Sequence, residues 1–221
     1  MIENIKAESK LIDDKLKQEL SGIFAKLESE IYLKAIIDMD AEKGVELAEF
    51  LTVIASLSPK IQLEMYTPAE NEQAKELDTT YLPVTGIYKD GVYSGLAFHG
   101  VPGGKEINSF VIAIYNVSGP GQDLSRWTVK KIQKISEKVN IKICVSLACH
   151  HCPKVVVACQ KMASLNENIE AEMIDASLYP DLVEKYKIER VPLTIINDTQ
   201  VLVGPKTIEE MIDIIVKINK K

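Results

Sequence analysis

The chain has 221 residues, a formal net charge of −6, 46% apolar residues and 26% charged residues, the profile of a globular protein of one or two domains. The acidic balance excludes nucleic acid as a partner, because a phosphate-binding surface needs clustered Lys and Arg, and the basic end Lys217 to Lys221 reads as a solvated helix end. No stretch approaches the roughly 20 apolar residues that cross a bilayer, and the polar start MIENIKAESKLIDD has no signal-peptide core, so no membrane contact and a cytoplasmic setting are expected.

After an N-terminal helix, Ile31 to Ile37 is a short β-rich apolar run and predicts a strand. Glu42 to Ser56 predicts a helix, with Val45, Ala48, Leu51 and Ala55 as its apolar positions. Ile61 to Tyr66 alternates like a strand. Pro83 opens the strand Val84 to Tyr88, and the turn Lys89-Asp90-Gly91 joins it to Val92 to Phe98 as a hairpin. Glu106 to Tyr115 closes this half as an amphipathic helix. Ser118-Gly119-Pro120-Gly121-Gln122 then reads as a linker.

The second half begins with a helix over 125–138, for which Trp127, Ile132 and Ile135 are core candidates. Lys142 to Ser146 predicts a strand, Pro153 to Ser164 a helix, Ile169 to Ile174 a strand and Pro180 to Tyr186 a short helix. Leu193 to Ile196 and Gln200 to Val203 form a second hairpin, and Ile208 to Ile218 the closing helix.

The halves are copies. The segment Ala55 to Met65 recurs 108 residues later as Ala163 to Met173, identical at six of eleven positions. Leu82-Pro83 and Val191-Pro192 each precede an apolar run, 109 apart, and Asp90 and Asp198 lie 108 apart in equivalent turns. Landmarks at a nearly constant offset are the signature of duplication. The division expected is 1–118 and 119–221. The order β-α-β-α-β-β-α is that of a thioredoxin-like fold, so the fold class is α/β, two tandem units of mixed sheet flanked by helices and packed as one double domain.

Cys149 and Cys152 fall between the predicted strand and helix of the second copy. A helix N-terminus has unpaired N–H groups and a dipole that favours negative charge, so a thiolate there is stabilised and its pKa falls. Pro153 follows, where a missing N–H costs little. Two thiols at this spacing can close a small disulfide ring. Cys149, the first and more exposed, is the expected nucleophile, and Cys152 the resolving thiol. His150 and His151 lie between them, and a cationic or hydrogen-bonding neighbour makes the couple more oxidising. Zinc or an iron–sulfur cluster is the competing reading, but it lacks a second ligand pair: only Cys144, Cys159, His99 and the two intervening histidines remain. Haem attachment fails because Pro153 stands where C-x-x-C-H needs histidine. Cys144 and Cys159, flanked by apolar residues, read as core. No metal is expected, and no cofactor beyond the Cys149–Cys152 dithiol.

Val191-Pro192 is expected to be cis and to shape the partner groove opposite the dithiol. Carrying Cys149 and Cys152 back by 108 lands on Ala41 and Gly44, so the first copy cannot exchange disulfides and is read as support, docking surface or cleft wall. Glu106, at a helix start after Gly103-Gly104-Lys105, either complements the helix dipole or faces the dithiol as a proton carrier. His99 reads as a loop or surface residue.

The chain resembles the N-terminal double thioredoxin-like domain of the flavoprotein subunit of alkyl hydroperoxide reductase. The resemblance rests on Val145 to Pro153, Met162 to Asn166, Val191-Pro192 and Gly104-Lys105-Glu106 with the following helix, and it covers the chain from about residue 20. It implies that electrons arrive from a flavin-dependent NAD(P)H disulfide reductase and leave to a peroxiredoxin or another disulfide protein. It implies that Cys149 attacks, Cys152 resolves and Glu106 acts as acid/base. The flavoprotein part with its G-x-G-x-x-G fingerprints is absent from this sequence, so the chain either meets a separate reductase or is a piece of a longer protein. The second histidine of the motif departs from the family pattern and leaves the potential open. Two other functions compete. One is a zinc-binding module using the same cysteines. The other is a disulfide-forming oxidant, which a potential of about −180 mV or higher would mark, against about −270 mV for a reductant.

Overall fold

The computed structural model describes residues 1–219; Lys220 and Lys221, the tip of the basic end, lie outside the described residues. Its elements follow the repeat. The first half contains α1 (Asp14–Phe24), β1 (Ile31–Ile36), α2 (Glu42–Ser56), β2 (Ile61–Tyr66), β3 (Val84–Lys89), β4 (Val92–His99) and α3 (Ile107–Ser118). The second contains α4 (Arg126–Gln133), β5 (Val139–Val145), α5 (Cys152–Ala163), β6 (Ile169–Asp175), α6 (Pro180–Tyr186), β7 (Leu193–Ile196), β8 (Gln200–Val203) and α7 (Ile208–Ile218). The first half has a 3-10 segment, Pro68–Ala74, where the second has α6.

Local chemistry explains the boundaries. The Asp13 side chain accepts the Leu16 N–H and starts α1, which buries Leu20 and Phe24 one turn apart. Thr207 and Glu210 form a reciprocal capping box on α7, which buries Met211, Ile212 and Ile215. Asp90 and Gly91 take φ 53° and 76°, and Asn197 and Asp198 take 49° and 56°. These left-handed pairs suit the tight turns that the right-handed strand twist demands.

All eight strands form one sheet in the order β2-β1-β3-β4-β6-β5-β7-β8. The two halves of that order repeat each other and meet where β4 and β6 pair in parallel, Leu96 opposite Ala171 through His99 opposite Ile174. One face of the sheet is covered by α2, α3, α5 and α7, and the other by α6 and the 68–82 segment. On the first face Phe110 of α3 meets Phe50 of α2 and Phe98 of β4, with ring centroids 5.5 and 5.0 Å apart.

Four expectations are corrected. The buried stripe of α2 runs through Leu47, Leu51 and Ile54, while Val45 is exposed and Ala55 only half-buried; the apolar residues on all sides of this helix hid its true phase. The fourth helix ends at Gln133, five residues short of the 138 expected. Trp127 is 62% exposed, one residue off the stripe of Thr128 and Ile132, with the Lys131 ammonium 3.8 Å above its ring. His99 is fully buried at the end of β4: Nδ1–H donates to the Tyr81 carbonyl at 2.8 Å, and Nε2 lies 2.8 Å from Glu172 Oε2 of β6. Burial alone would push the Glu172 carboxyl up, but His99, Asn140 and the Lys142 charge outweigh it and hold it low. An ion-pairing group from each half thus spans the β4–β6 seam.

Position 44, the counterpart of Cys152 at the 108 offset, has no room for a side chain. A Cβ there would lie 1.9 Å from the Asp38 carbonyl oxygen. Gly44→Ala is therefore expected to cost about 2 kcal/mol, read as a lower urea midpoint; an unchanged midpoint would mean the Asp38 loop yields freely.

Candidate dithiol site

β5 ends at Val145, and Ser146 to His151 form the loop into α5. The Cys149 N–H donates to the Ser146 carbonyl at 2.9 Å, turning the chain into the helix. Cys149 and Cys152 are disulfide-bonded with Cα atoms 5.6 Å apart, inside the range this bond needs. Cys152, the first residue of α5, is fully buried, whereas Cys149 is partly exposed. The Cys152 N–H points at Cys149 Sγ, 3.1 Å away. An N–H from the first helical turn so placed stabilises negative charge on that sulfur once the disulfide opens. Pro153 is the second residue of α5, where its missing N–H leaves no bond unmade. His150 and His151 are exposed.

Val191-Pro192 is cis, and the Val191 carbonyl oxygen lies 4.0 Å from Cys149 Sγ. Leu82-Pro83 is cis in the first half too. There, however, the Leu82 carbonyl accepts the Tyr179 hydroxyl at 3.2 Å, from the other half of the molecule. The backbone edge that is open beside the dithiol is closed in the copy without thiols.

Glu106 comes from the first half. It ends the 3-10 turn Gly104–Glu106, which packs against α5. The Lys105 N–H donates to the Leu147 carbonyl at 2.9 Å, so the turn is bonded to the loop that carries Cys149. Gly104 has φ 55°, and a Cβ there would lie 2.5 Å from the Leu147 oxygen; glycine permits this approach. Glu106 is fully buried, with Oε2 accepting the Ser109 hydroxyl and Oε1 without a partner. Burial pushes its carboxyl up to about 7, the charge of Asp175 adding and Ser109 opposing. It is not a solvent-facing charge placed for the helix dipole.

Cys144 on β5 and Cys159 on α5 are fully buried, and burial pushes both thiols up to about 12, which keeps them protonated and inert. Among the described residues no three His, Cys, Asp or Glu side chains converge to hold a metal ion, and no helix is long and apolar enough to cross a membrane. Sequence reasoning missed the supporting residues. Ser109, three positions after Glu106, was readable as a helical neighbour; Asp175 and Tyr179, from distant segments, carried no such signal.

Thioredoxin-like halves with one surviving dithiol at a strand–helix junction define a thiol–disulfide oxidoreductase. The family model described as a thioredoxin domain matches residues 139–217. The chain is 40% identical to a crystallised cysteine-to-alanine variant of the Enterococcus faecalis alkyl hydroperoxide reductase flavoprotein AhpF, with TM-score 0.86 over 93% of this chain and 100% of that one. Against the crystallised N-terminal domain of the same AhpF it is 41% identical, with TM-score 0.85 over 92% and 99%. The chain belongs to the AhpF family of alkyl hydroperoxide reductases and corresponds to its N-terminal domain. Among sequences, it is 31% identical to a Bacillus subtilis NADH dehydrogenase and 30% to the AhpF of Staphylococcus aureus, each over 91% of this chain and 37% of the relative. It therefore spans little more than a third of the length of these relatives. A protein disulfide oxidoreductase from Aeropyrum pernix, 21% identical with TM-score 0.82 over 92% of this chain and 91% of that one, shares the fold.

Proposed function

We propose that the chain relays electrons from a flavin-dependent NAD(P)H disulfide reductase to a peroxiredoxin or another disulfide protein, in the cytoplasm, with residues 119–221 as the redox-active unit and 1–118 as an inactive one. The Cys149–Cys152 disulfide at the N-terminus of α5, one sulfur accessible and the other buried, carries this reading. Cys149 thiolate attacks one sulfur of the partner disulfide, a mixed disulfide forms, and the other partner sulfur leaves as thiolate and takes a proton. Cys152, deprotonated, then attacks Cys149 Sγ, expels the first partner sulfur and closes the ring. Two electrons and two protons pass to the partner, and the reductase returns them. Glu106 takes and returns the Cys152 proton. His150 and His151 favour thiolate, Pro153 sets the helix start, and Val191 and Pro192 border the partner groove. The dithiol is the only redox group required.

A reconstituted chain of reductase, this protein, peroxiredoxin and peroxide tests the reading. NAD(P)H oxidation is expected to depend on this protein and to stop when it is omitted; oxidation at the same rate without it would remove the relay role. Elemental analysis of anaerobically purified protein tests the zinc module, which requires one tightly bound zinc per chain.

A further inference from the structure

We propose that the rim of the dithiol is a cationic docking surface that selects disulfides carried on acidic segments of the partner; this rests on the exchange reading above. The chain as a whole is acidic, at −6, yet the exposed charged side chains closest along the chain to the reacting sulfurs are mostly basic. Lys154 lies two residues after Cys152 in the first turn of α5. Arg190 directly precedes Val191, whose carbonyl is 4.0 Å from Cys149 Sγ. Lys187 and Arg190 line one shallow cavity beside the cis-proline loop, where Glu189 is the opposing carboxylate. Lys105, from the first half, is held against the loop by its N–H on the Leu147 carbonyl. All four cations are exposed.

Their lack of partners is the second observation. Elsewhere several lysines are matched: Lys34 with Glu64, Lys43 with Glu46, Lys131 with Asp213 and Lys142 with Asp198. Among the described residues, none of Lys105, Lys154, Lys187 and Arg190 forms an ion pair. Any segment that brings a disulfide to Cys149 must pass Val191, so flanking carboxylates come within reach of Arg190 and its neighbours. Complementary charge raises encounter rates and rejects like-charged partners, and salt screens the effect. The exchange itself is unchanged: Cys149 joins one partner sulfur, Cys152 displaces it, and two electrons and two protons leave the dithiol.

The test uses the full chain, pre-reduced and freed of reductant, with three substrates: one peptide disulfide flanked by Asp and Glu, the same peptide flanked by Lys and Arg, and a small neutral aromatic disulfide. At low salt kcat/KM is expected to be about tenfold higher for the acidic peptide than for the basic one. The two should converge at about 0.5 M salt. Lys105→Glu with Arg190→Glu should invert the ratio. Reduction of all three with an acidic-to-basic ratio near one, or a ratio unmoved by salt and by the double variant, would overturn the charge inference and leave the exchange reading standing. Failure to reduce even the neutral disulfide would sink both.

Discussion

Cys149→Ser is expected to abolish reduction of any disulfide by the pre-reduced protein, a loss of several orders of magnitude, because the attacking sulfur has no substitute. Cys144 and Cys159 are fully buried and held protonated, so neither can stand in. Cys152→Ser should behave differently. Its Cys149 remains accessible, and the Cys152 N–H that now points at Cys149 Sγ at 3.1 Å is a backbone group that the substitution keeps. The first attack should therefore proceed and the second should not, leaving a covalent adduct with the partner that non-reducing electrophoresis resolves. Turnover in the first variant, or no adduct from the second, would each contradict the assigned order of attack. Trapping with Cys152→Ser in a cell extract would also identify donor and acceptor.

Glu106→Gln is expected to change both stability and rate, with opposite signs at alkaline pH. The native carboxyl titrates at about 7, against an ordinary value of 4.5. Between those values the folded chain holds a proton that the unfolded chain has released. This group's contribution to stability therefore falls as pH rises through that window, by about 3 kcal/mol in all. Glutamine mimics the protonated form and escapes the penalty. In urea denaturation the variant should gain on the wild type between pH 5 and 8, and the gap should then level off. Disulfide exchange should meanwhile slow several-fold, with loss of the inflection near pH 7. A variant that kept the wild-type pH–rate profile would return Glu106 to a structural role, and a stability gap independent of pH would show that the buried carboxyl is not charged in the folded chain.

Periodicity, turn chemistry and the 108-residue offset made nearly every strand and helix readable, because each depends on neighbours a few residues away. The redox loop was readable for the same reason: strand, two cysteines and helix are contiguous. What escaped depends on contacts between the halves. His99 looked like a loop residue because its partner Glu172 is 73 residues away. Glu106 was visible as a candidate, but its burial and unpartnered oxygen arise only when its turn docks on the Leu147 loop. The closure of the first cis-proline groove by Tyr179, 97 residues from Leu82, had no local signature. Trp127 misled because a large apolar side chain suggests a core position, and its one-residue displacement from the buried stripe is a matter of phase.

The parallel pairing of β4 with β6 has a further consequence. A lone unit of this kind would leave its fourth or second strand as a bare rim of unpaired N–H and C=O groups, the template on which chains aggregate. Duplication with fusion has annealed two such rims to each other. Of the two that survive, one ends with the Met65 carbonyl occupied by the Ile2 N–H, and the other is the four-residue β8. Severing the chain at Gly119-Pro120 would thus yield two sticky halves rather than a smaller working protein, and the thiol-free half would persist in evolution as a solubility partner even if it never touched a substrate.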